Sequence, residues 1–218
     1  MTAQQGTDEY AGMAALYDAL LEPFLRRGRL AQVALAKELG ARRVLDMGCG
    51  TGKQISRFAG SDVQVYGLDL SPGMLAQARE QAAGRCVQAD ATQAPFADKS
   101  FDLVYCQYAL HEKSREVIGG LLAEARRVLR PQGFLAVTDY APQADRRPWT
   151  QILGLGIRII ERIAGDAHYR HFCDWMQRGG LAKVLDEAGW EQQKATHIFR
   201  GNVRMILFKP RPAPRTSA

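Results

Sequence analysis

The strongest constraint on the fold is a regular alternation of short apolar runs with amphipathic segments over residues 43–139. The apolar runs have the length and composition of buried β-strands, and the segments between them carry apolar residues at helical spacing. The five runs lie at residues 43–47, 63–68, 85–89, 101–106 and 134–138. Because strands that alternate with helices are typical of parallel βαβ units, the chain is predicted to form an open, doubly wound α/β sheet.

The regions on either side of this alternation follow other patterns. Residues 10–39 have helical periodicity, and Pro23 predicts a break within them. After Asp139 the alternation stops, and an irregular, partly helical insertion is predicted over residues 140–172. An amphipathic helix over residues 174–188 and an antiparallel hairpin over residues 190–208 are predicted to close the domain.

The first predicted strand leads into a glycine-rich loop with the sequence DMGCGTG at residues 46–52. In an open α/β sheet, ligands bind beyond the carboxyl ends of the strands. The loop does not fit a P-loop, because Met47 and Gln54 replace the first glycine and the magnesium-binding hydroxyl. It does not fit a dinucleotide fingerprint, because the third glycine comes one residue early and Lys53 occupies its position.

Acidic residues at the strand ends favour a cationic ligand. Asp46, directly before the glycines, would repel a pyrophosphate and attract an ammonium group. Asp69 ends the second strand, 21 residues after Gly48, and suits a ribose diol. S-adenosylmethionine carries a sulfonium, an ammonium and a ribose but no phosphate, so the pattern favours it over a nicotinamide dinucleotide.

Five motifs occur in order over about residues 40–140: VLDMGCGTG, GLDLSPGML, ADAT, FDLV and RVLRPQG. Together they resemble a class I S-adenosylmethionine-dependent methyltransferase. The resemblance implies a Rossmann-like, mostly parallel seven-stranded sheet with a reversed last strand, N-terminal helices and a helical insertion after strand 5. It agrees with the hairpin predicted at the end of the domain.

The resemblance also implies roles for individual residues around the methionine and ribose parts of the cofactor. Gly48, Gly50 and Gly52 would let the backbone approach the methionine part, and Asp46 would lie beneath that turn. Asp69 would hold the two ribose hydroxyls, with a plain N-cap role as the alternative.

A second set of matching residues is implied for the adenine end of the pocket. Leu70 and Met74 would flank the adenine, although Met74 could equally be a core residue. Asp90 would take the adenine amino group, or serve only as a turn residue, and Ala91 would offer a backbone amide. Gln107, just past the fourth strand, would line the same pocket.

Methyl transfer is an in-line displacement in which the protein supplies alignment and excludes water. A general base is required only if the acceptor must lose a proton. His111 is the best candidate for such a base, with a packing role as its alternative. Tyr108 lies close to it in sequence, and Asp139 and Tyr140 follow the fifth strand at the same rim.

The acceptor side is predicted from the insertion and the N-terminus. His168, Tyr169 and His171 are candidate substrate contacts, whereas a metal site there is not predicted because no acid or cysteine cluster completes it. Residues 152–164 are predicted to form a packed lid helix, or a face that contacts an apolar acceptor or lipid. Tyr17 lies in a segment that resembles the ubiquinone/menaquinone C-methyltransferase group, where it would close over the cofactor.

Composition excludes several classes of partner. The net charge is +6, but three of the basic residues lie in the last ten, which contain no acids. The mildly basic remainder argues against a nucleic-acid partner. The apolar run at residues 152–164 is too short to span a bilayer, so at most peripheral membrane contact is expected. Four scattered cysteines and a polar N-terminus indicate reduced thiols and a cytoplasmic protein.

The sequence thus predicts one methyltransferase domain over residues 1–208 and a flexible basic tail over residues 209–218. Within the domain we expect a helical cap, a cofactor-binding core, a substrate-side insertion and a closing helix with hairpin, at residues 10–40, 41–139, 140–173 and 174–208. The predicted reaction transfers a methyl group to a small-molecule or lipophilic acceptor. A nicotinamide-dependent oxidoreductase and a non-catalytic cofactor-binding protein are the alternatives, and the oligomeric state stays open.

Overall fold

The computed structural model describes residues 14–82, 84–142 and 147–212, without the side chains of residues 14–24, Glu80, Gln81 and Arg200. The seven strands are β1 (Arg43–Met47), β2 (Gln64–Asp69), β3 (Cys86–Gln88), β4 (Phe101–Gln107), β5 (Leu129–Tyr140), β6 (Trp190–Ile198) and β7 (Val203–Pro210). The helices are α1 (Ala14–Glu38), α2 (Lys53–Ser56), α3 (Pro72–Ala82), α4 (Arg115–Val128), α5 (Pro148–Ile163), α6 (Asp166–Gln177) and α7 (Gly180–Glu187).

The strands form one sheet in the order β3-β2-β1-β4-β5-β7-β6. Strands β1 to β5 pair in parallel, whereas β7 is antiparallel to both β5 and β6. The predicted doubly wound sheet with a reversed strand at the end of the chain is confirmed. This order places the carboxyl ends of β3, β2, β1, β4 and β5 side by side along one edge.

Each face of the sheet carries its own core, because the central strands are apolar on both sides. Leu45 and Met47 of β1 pack in the cluster that includes α4 and α7, whereas Val44 packs in the cluster that includes α1 and α3. Helix α1 is tied to the sheet by the buried Gln32, whose Nε2 donates to Thr138 Oγ1 at 2.9 Å. The helices therefore cover both faces and leave the carboxyl edge for ligands.

The N-terminal region differs from the prediction. The expected break at Pro23 is wrong, because α1 continues through it as one helix instead of several. Proline removes one backbone donor but keeps a helical φ, so a long helix can tolerate it at the cost of one hydrogen bond.

The region after β5 is more regular than predicted. Residues 148–177 form two helices, α5 and α6, so the predicted insertion boundary at residue 173 falls inside α6. The single helix predicted over residues 174–188 is wrong. Gly179 and Gly180 both adopt positive φ, 95° and 65°, and this conformation separates α6 from α7.

The predicted tail begins too early. Strand β7 extends to Pro210, and the Arg211 N–H donates to the Gly189 carbonyl at 2.9 Å. Residues 213–218 of that predicted tail lie outside the described residues. Within the described ranges, no helix combines the length and the apolar character needed to cross a membrane.

Candidate active site

The glycine loop after β1 presents backbone to the carboxyl edge of the sheet. Gly48, Gly50 and Gly52 all adopt positive φ, at 81°, 53° and 74°, which favours glycine. A Cβ at Gly50 would meet no atom within 4 Å, so the backbone there faces open space. A Cβ at Gly52 would lie 3.1 Å from the Cβ of Ala78, so this third glycine allows close packing against α3.

Asp69 links the glycine loop to the start of α3. Its carboxylate accepts hydrogen bonds from the Gly50 N–H at 2.8 Å and the Ser71 N–H at 2.9 Å. Ser71 Oγ in turn accepts from the Met74 N–H at 3.1 Å, as a capping serine does. Beside them Leu70 is 67% exposed, which leaves an apolar surface at the mouth of the loop.

Asp46 is buried beneath the loop, between β2 and β4. Among the described residues its Oδ1 has no hydrogen-bond partner. Burial raises the pKa of this carboxyl to about 8, although the positive charge of Arg29 opposes the shift. A buried carboxyl with one unpartnered oxygen fits a cationic ligand, which would supply the missing donor.

The remaining predicted cofactor residues lie along the same edge. Asp90, after β3, is exposed, and its Oδ1 accepts from both the N–H and the hydroxyl of Thr92 at 2.8 Å. Ala91 begins a short 3₁₀ turn, and Gln107 ends β4. Tyr17 lies in α1, but its side chain is outside the described part of the structure.

On the acceptor side, Asp139 at the end of β5 is fully buried and orients His111. Asp139 Oδ1 lies 2.7 Å from His111 Nδ1, and its Oδ2 accepts from the backbone N–H groups of Leu110 and His111 at 3.0 and 3.3 Å. The Tyr140 N–H also donates to Oδ1 at 2.7 Å. These contacts turn Nε2 of His111 away from Asp139.

Glu161 lies beside His111 Nε2 and joins it to His168. Glu161 of α5 places its Oε2 3.4 Å from His111 Nε2 and 2.5 Å from His168 Nε2. The other ring nitrogen of His168, Nδ1, lies 3.4 Å from Glu112 Oε2. Residues from the β4–α4 loop, β5, α5 and α6 are thereby joined in one buried polar network.

The network strongly shifts the protonation of His111. Burial lowers the pKa of His111, but the carboxylates of Asp139 and Glu161 outweigh burial and raise it to about 10. For Glu161, burial acts in the opposite direction and raises the pKa. The hydrogen bonds and positive charges of His111 and His168 outweigh burial and lower this pKa to about 2. In this arrangement the imidazolium form of His111, which donates a hydrogen bond from Nε2, is favoured at neutral pH, and a general base would need the neutral form.

Aromatic rings enclose the network. The ring of Tyr140 lies 4.6 Å from that of His111, 5.9 Å from that of Tyr108 and 5.5 Å from that of Phe172. Tyr169 stacks on Phe172 at 6.2 Å. The backbone of Tyr108 has a φ of 49°, which is unusual for a bulky residue and places local strain at the rim.

The structure brings together six of the seven residues predicted for catalysis and substrate contact. They are Tyr108, His111, Asp139, Tyr140, His168 and Tyr169. His171 is the exception, since its described interaction is with Asp174, whose pKa is lowered chiefly by Arg115 and to a smaller extent by His171.

The sequence analysis missed Glu112 and Glu161 as members of this network. Glu161 is the only acid in α5, and in the predicted packed lid helix an acid opposite the apolar residues would face solvent. In the structure the polar side of α5 faces inward and its apolar side faces outward. Thr150 and Glu161 are the buried residues of this helix, whereas Ile163 is 76% exposed. A single acid in a strongly apolar helix was the available signal.

A cavity of about 490 Å³ lies between α5 and α6, beside the network. Tyr140 and Phe172, whose rings contact His111, form one wall. The opposite wall includes Gly154 and Leu155 of α5. Its size and aromatic lining suit the ring of a small organic molecule.

Comparisons with known proteins agree with this geometry. Residues 45–137 match the family model described as a methyltransferase domain. The demethylmenaquinone methyltransferase of Beutenbergia cavernae is 34% identical over 206 residues, which cover 87% of this chain and 84% of that protein.

Solved structures share the fold. The PH0226 protein of Pyrococcus horikoshii superposes with a TM-score of 0.63 at 22% identity, covering 89% of this chain and 91% of that one. A SAM-dependent methyltransferase from Aquifex aeolicus superposes with a TM-score of 0.53 at 18% identity, covering 80% of this chain and 87% of that one.

The glycine turns, and Asp46 beneath them with its unpartnered Oδ1, fit S-adenosylmethionine as the cofactor, and the protein is an enzyme that uses it for methyl transfer. The chain belongs to the class I S-adenosylmethionine-dependent methyltransferases, in the group that includes the demethylmenaquinone methyltransferases.

Proposed function

We propose that this enzyme methylates a lipophilic quinol whose ring occupies the cavity between α5 and α6. The observation that carries the proposal is the aromatic wall of Tyr140 and Phe172, which lies directly against the buried His111 network. The relative from Beutenbergia cavernae is named for a demethylated menaquinone, a quinone with a long apolar tail. An acceptor of that class combines an aromatic ring with oxygens that can face His111.

The cofactor side is proposed to bind S-adenosylmethionine through the residues at the strand ends. Asp46 faces the ammonium group, Asp69 the ribose hydroxyls, and Gly48 and Gly50 leave room for the methionine chain. Leu70, Met74, Asp90, Ala91, Gln107 and Tyr17 complete the proposed pocket. Bound there, the cofactor supplies an electrophilic methyl group on a sulfonium.

The acceptor side is proposed to orient the quinol and to favour its ionised form. His111 donates a hydrogen bond from Nε2 toward an acceptor oxygen, and a positive charge beside that oxygen makes its proton easier to lose. Asp139 holds His111 in place. Tyr108, Tyr140, His168 and Tyr169 enclose the ring and limit access of water. An ionised quinol oxygen increases the nucleophilicity of the neighbouring ring carbon. After this carbon has accepted the methyl group it loses its own proton to solvent, which restores the aromatic ring.

The apolar face of α5, comprising Ile152, Leu155, Ile159 and Ile163, is proposed to contact an anionic membrane surface. All four side chains are more than half exposed. The exposed Arg158 lies on the same helix and complements anionic lipid headgroups. A lipophilic acceptor could then pass from the bilayer to the cavity beneath the same helix.

A comparison of acceptors tests the proposed function. We expect reduced demethylmenaquinol with a short prenyl tail to be methylated with a kcat/KM at least tenfold above that of the tail-less quinol. We also expect small polar amines to give no product. Equal turnover of tailed and tail-less quinols, or turnover of amines alone, would contradict the proposal.

A further inference from the structure

We propose that His111, Glu161 and His168 form a binding site for a divalent metal ion in the acceptor half of the active site. The candidate ligand atoms of these three residues all lie within 4.8 Å of one another. Glu161 Oε2 is 3.4 Å from His111 Nε2 and 2.5 Å from His168 Nε2. Ligands bound to one ion at about 2.0–2.2 Å lie about 3 Å apart, so small side-chain rotations bring the three atoms onto one ion.

The second ring nitrogen of each histidine already has the partner that metal-binding histidines use. His111 Nδ1 lies 2.7 Å from Asp139 Oδ1, and His168 Nδ1 lies 3.4 Å from Glu112 Oε2. Histidines that bind metals usually donate this N–H to a carboxylate or carbonyl, which fixes the ring and leaves Nε2 available. Both histidines of the cluster show this arrangement, and both direct Nε2 at the same carboxylate oxygen.

The charge and burial of the cluster also favour a divalent cation. The side chains of His111 and Glu161 are 4% and 5% exposed, and that of His168 is 15% exposed. A metal ion bound at Nε2 would displace the proton that His111 carries in the metal-free protein, and with neutral imidazoles Asp139, Glu161 and Glu112 place three negative charges in this region. Lys113, 2.6 Å from Glu112, balances one of them. A divalent cation would balance the other two.

The donor set indicates the class of metal. Two imidazoles and one carboxylate, with positions left open, suit Zn²⁺, Fe²⁺ or Mn²⁺ better than the oxygen-preferring Ca²⁺ or Mg²⁺. In the metal-bound protein the ion, in place of the His111 Nε2–H, could face an oxygen of the acceptor through an open position, and the acceptor's proton would then leave more readily to solvent. This use of the ion rests on the proposed function, whereas its binding does not.

The ion would also join separate parts of the chain. His111 lies in the loop after β4, Glu161 in α5 and His168 in α6. Metal binding should therefore clamp the two insertion helices onto the sheet. It should also raise the melting temperature of the protein.

Titration of the full-length, chelator-treated protein with Zn²⁺ alone tests the site. We expect one ion per chain by calorimetry, with at least a tenfold loss of affinity in Glu161→Gln and in His168→Ala. His171→Ala is the matched control, because it lies on the same helix outside the cluster, and it should keep the wild-type affinity. Circular dichroism of each variant shows whether it is folded.

The results separate this inference from the proposed function. Absence of Zn²⁺ binding by the folded wild type, or equal affinity in wild type and Glu161→Gln, would overturn the metal site. If the chelator-treated, metal-free enzyme still methylates quinol at the full rate, the ion has no role in the reaction. Whether the ion binds is decided by calorimetry alone. If Zn²⁺ binds at the cluster but no quinol is methylated, the metal site stands and the proposed acceptor fails.

Discussion

The cofactor half and the acceptor half of this active site are built in different ways. The cofactor half uses backbone turns and single acids at the ends of neighbouring strands, such as Gly50 and Asp69. The acceptor half uses buried side chains that meet across long stretches of chain, such as His111 and Glu161, which are 50 residues apart. The first arrangement follows from strand order, and the second depends on how the insertion packs.

This difference has energetic consequences. In the proposed cofactor half, Asp69 accepts backbone N–H groups in a partly open cleft, and Oδ1 of the buried Asp46 has no hydrogen-bond partner among the described residues. The acceptor half encloses several charged groups that stabilise one another, so removal of one leaves the others buried without partners. Variants of the acceptor half should therefore affect stability and turnover, whereas variants of the cofactor half should chiefly affect cofactor affinity.

Removal of Asp139 should have the largest effect on stability. Asp139→Ala leaves buried N–H donors and the His111 imidazolium without an acceptor, so we expect a loss of about 3–5 kcal/mol in the free energy of unfolding. Chemical denaturation measures it. The control Asp174→Ala removes a surface partner of Arg115 and should cost no more than about 1 kcal/mol. Similar losses in the two variants would remove the energetic distinction between the halves.

Replacement of His111 should separate turnover from cofactor binding. In His111→Ala we expect kcat/KM for the quinol to fall about 10²–10³-fold, the scale of a lost charge-stabilising donor. Affinity for S-adenosylhomocysteine should change less than about twofold, since no described contact joins His111 to the glycine loop. His197→Ala, an exposed histidine of β6, is the control for turnover. A comparable loss of cofactor affinity in His111→Ala would show that the halves are coupled.

Replacement of Asp69 should have the converse effect. Asp69→Ala removes the acceptor for the Gly50 N–H and the proposed ribose ligand, so cofactor binding should weaken by about 1–3 kcal/mol. Calorimetry with S-adenosylhomocysteine measures it, with the exposed Asp62→Ala as control. Unchanged affinity in Asp69→Ala would refute the role given to this residue.

Cofactor binding should depend on pH through Asp46. Because burial raises its pKa to about 8, Asp46 is mostly protonated at pH 6–7 and must ionise to pair with the ammonium group. Affinity for S-adenosylhomocysteine should therefore rise with pH from 6 to 7.5, by up to about tenfold per unit, with release of about one proton. Asp46→Asn should remove both effects. A pH-independent affinity in the wild type would contradict this role.

The same raised pKa affects stability in the ligand-free protein. Between the ordinary carboxyl pKa and about 8, the folded state keeps a proton on Asp46 that the unfolded state has lost. The contribution of this group to stability therefore falls as pH rises through that range.

The apolar face of α5 should give the smallest effect. Ile163→Ser should weaken binding to vesicles that contain anionic phospholipid about fivefold, the scale of one partly inserted apolar side chain. Co-sedimentation measures it, with Leu30→Ser, an exposed leucine of α1, as the control. Equal binding by the two variants would exclude this face as the contact.

The sequence predicts the fold around the glycine loop well because its signals are local. A strand end, a glycine turn and an acid lie within a few residues of each other at residues 46–52, and strand order follows from the βαβ pattern. The confirmed sheet and the position of Asp69 both result from such signals. Even here the packing role of Gly52 against Ala78 required the structure.

The acceptor half could be predicted only in part. His111, Asp139 and His168 were recognised as polar residues near the rim, but their pairing depends on the packing of α5 and α6. Glu161 was missed because amphipathicity indicates which face is apolar, and in this helix the apolar face is the exposed one. The raised pKa of His111 also depends on that packing and was therefore not predictable.

Transfer of a labelled methyl group tests the central claim most directly. The enzyme is incubated with S-adenosylmethionine labelled in its methyl group and with reduced, prenylated demethylmenaquinol, and both products are followed by mass spectrometry. The account predicts that the label appears on the quinol ring, with one S-adenosylhomocysteine formed for each methylated quinol. Formation of S-adenosylhomocysteine without labelled quinol would contradict it.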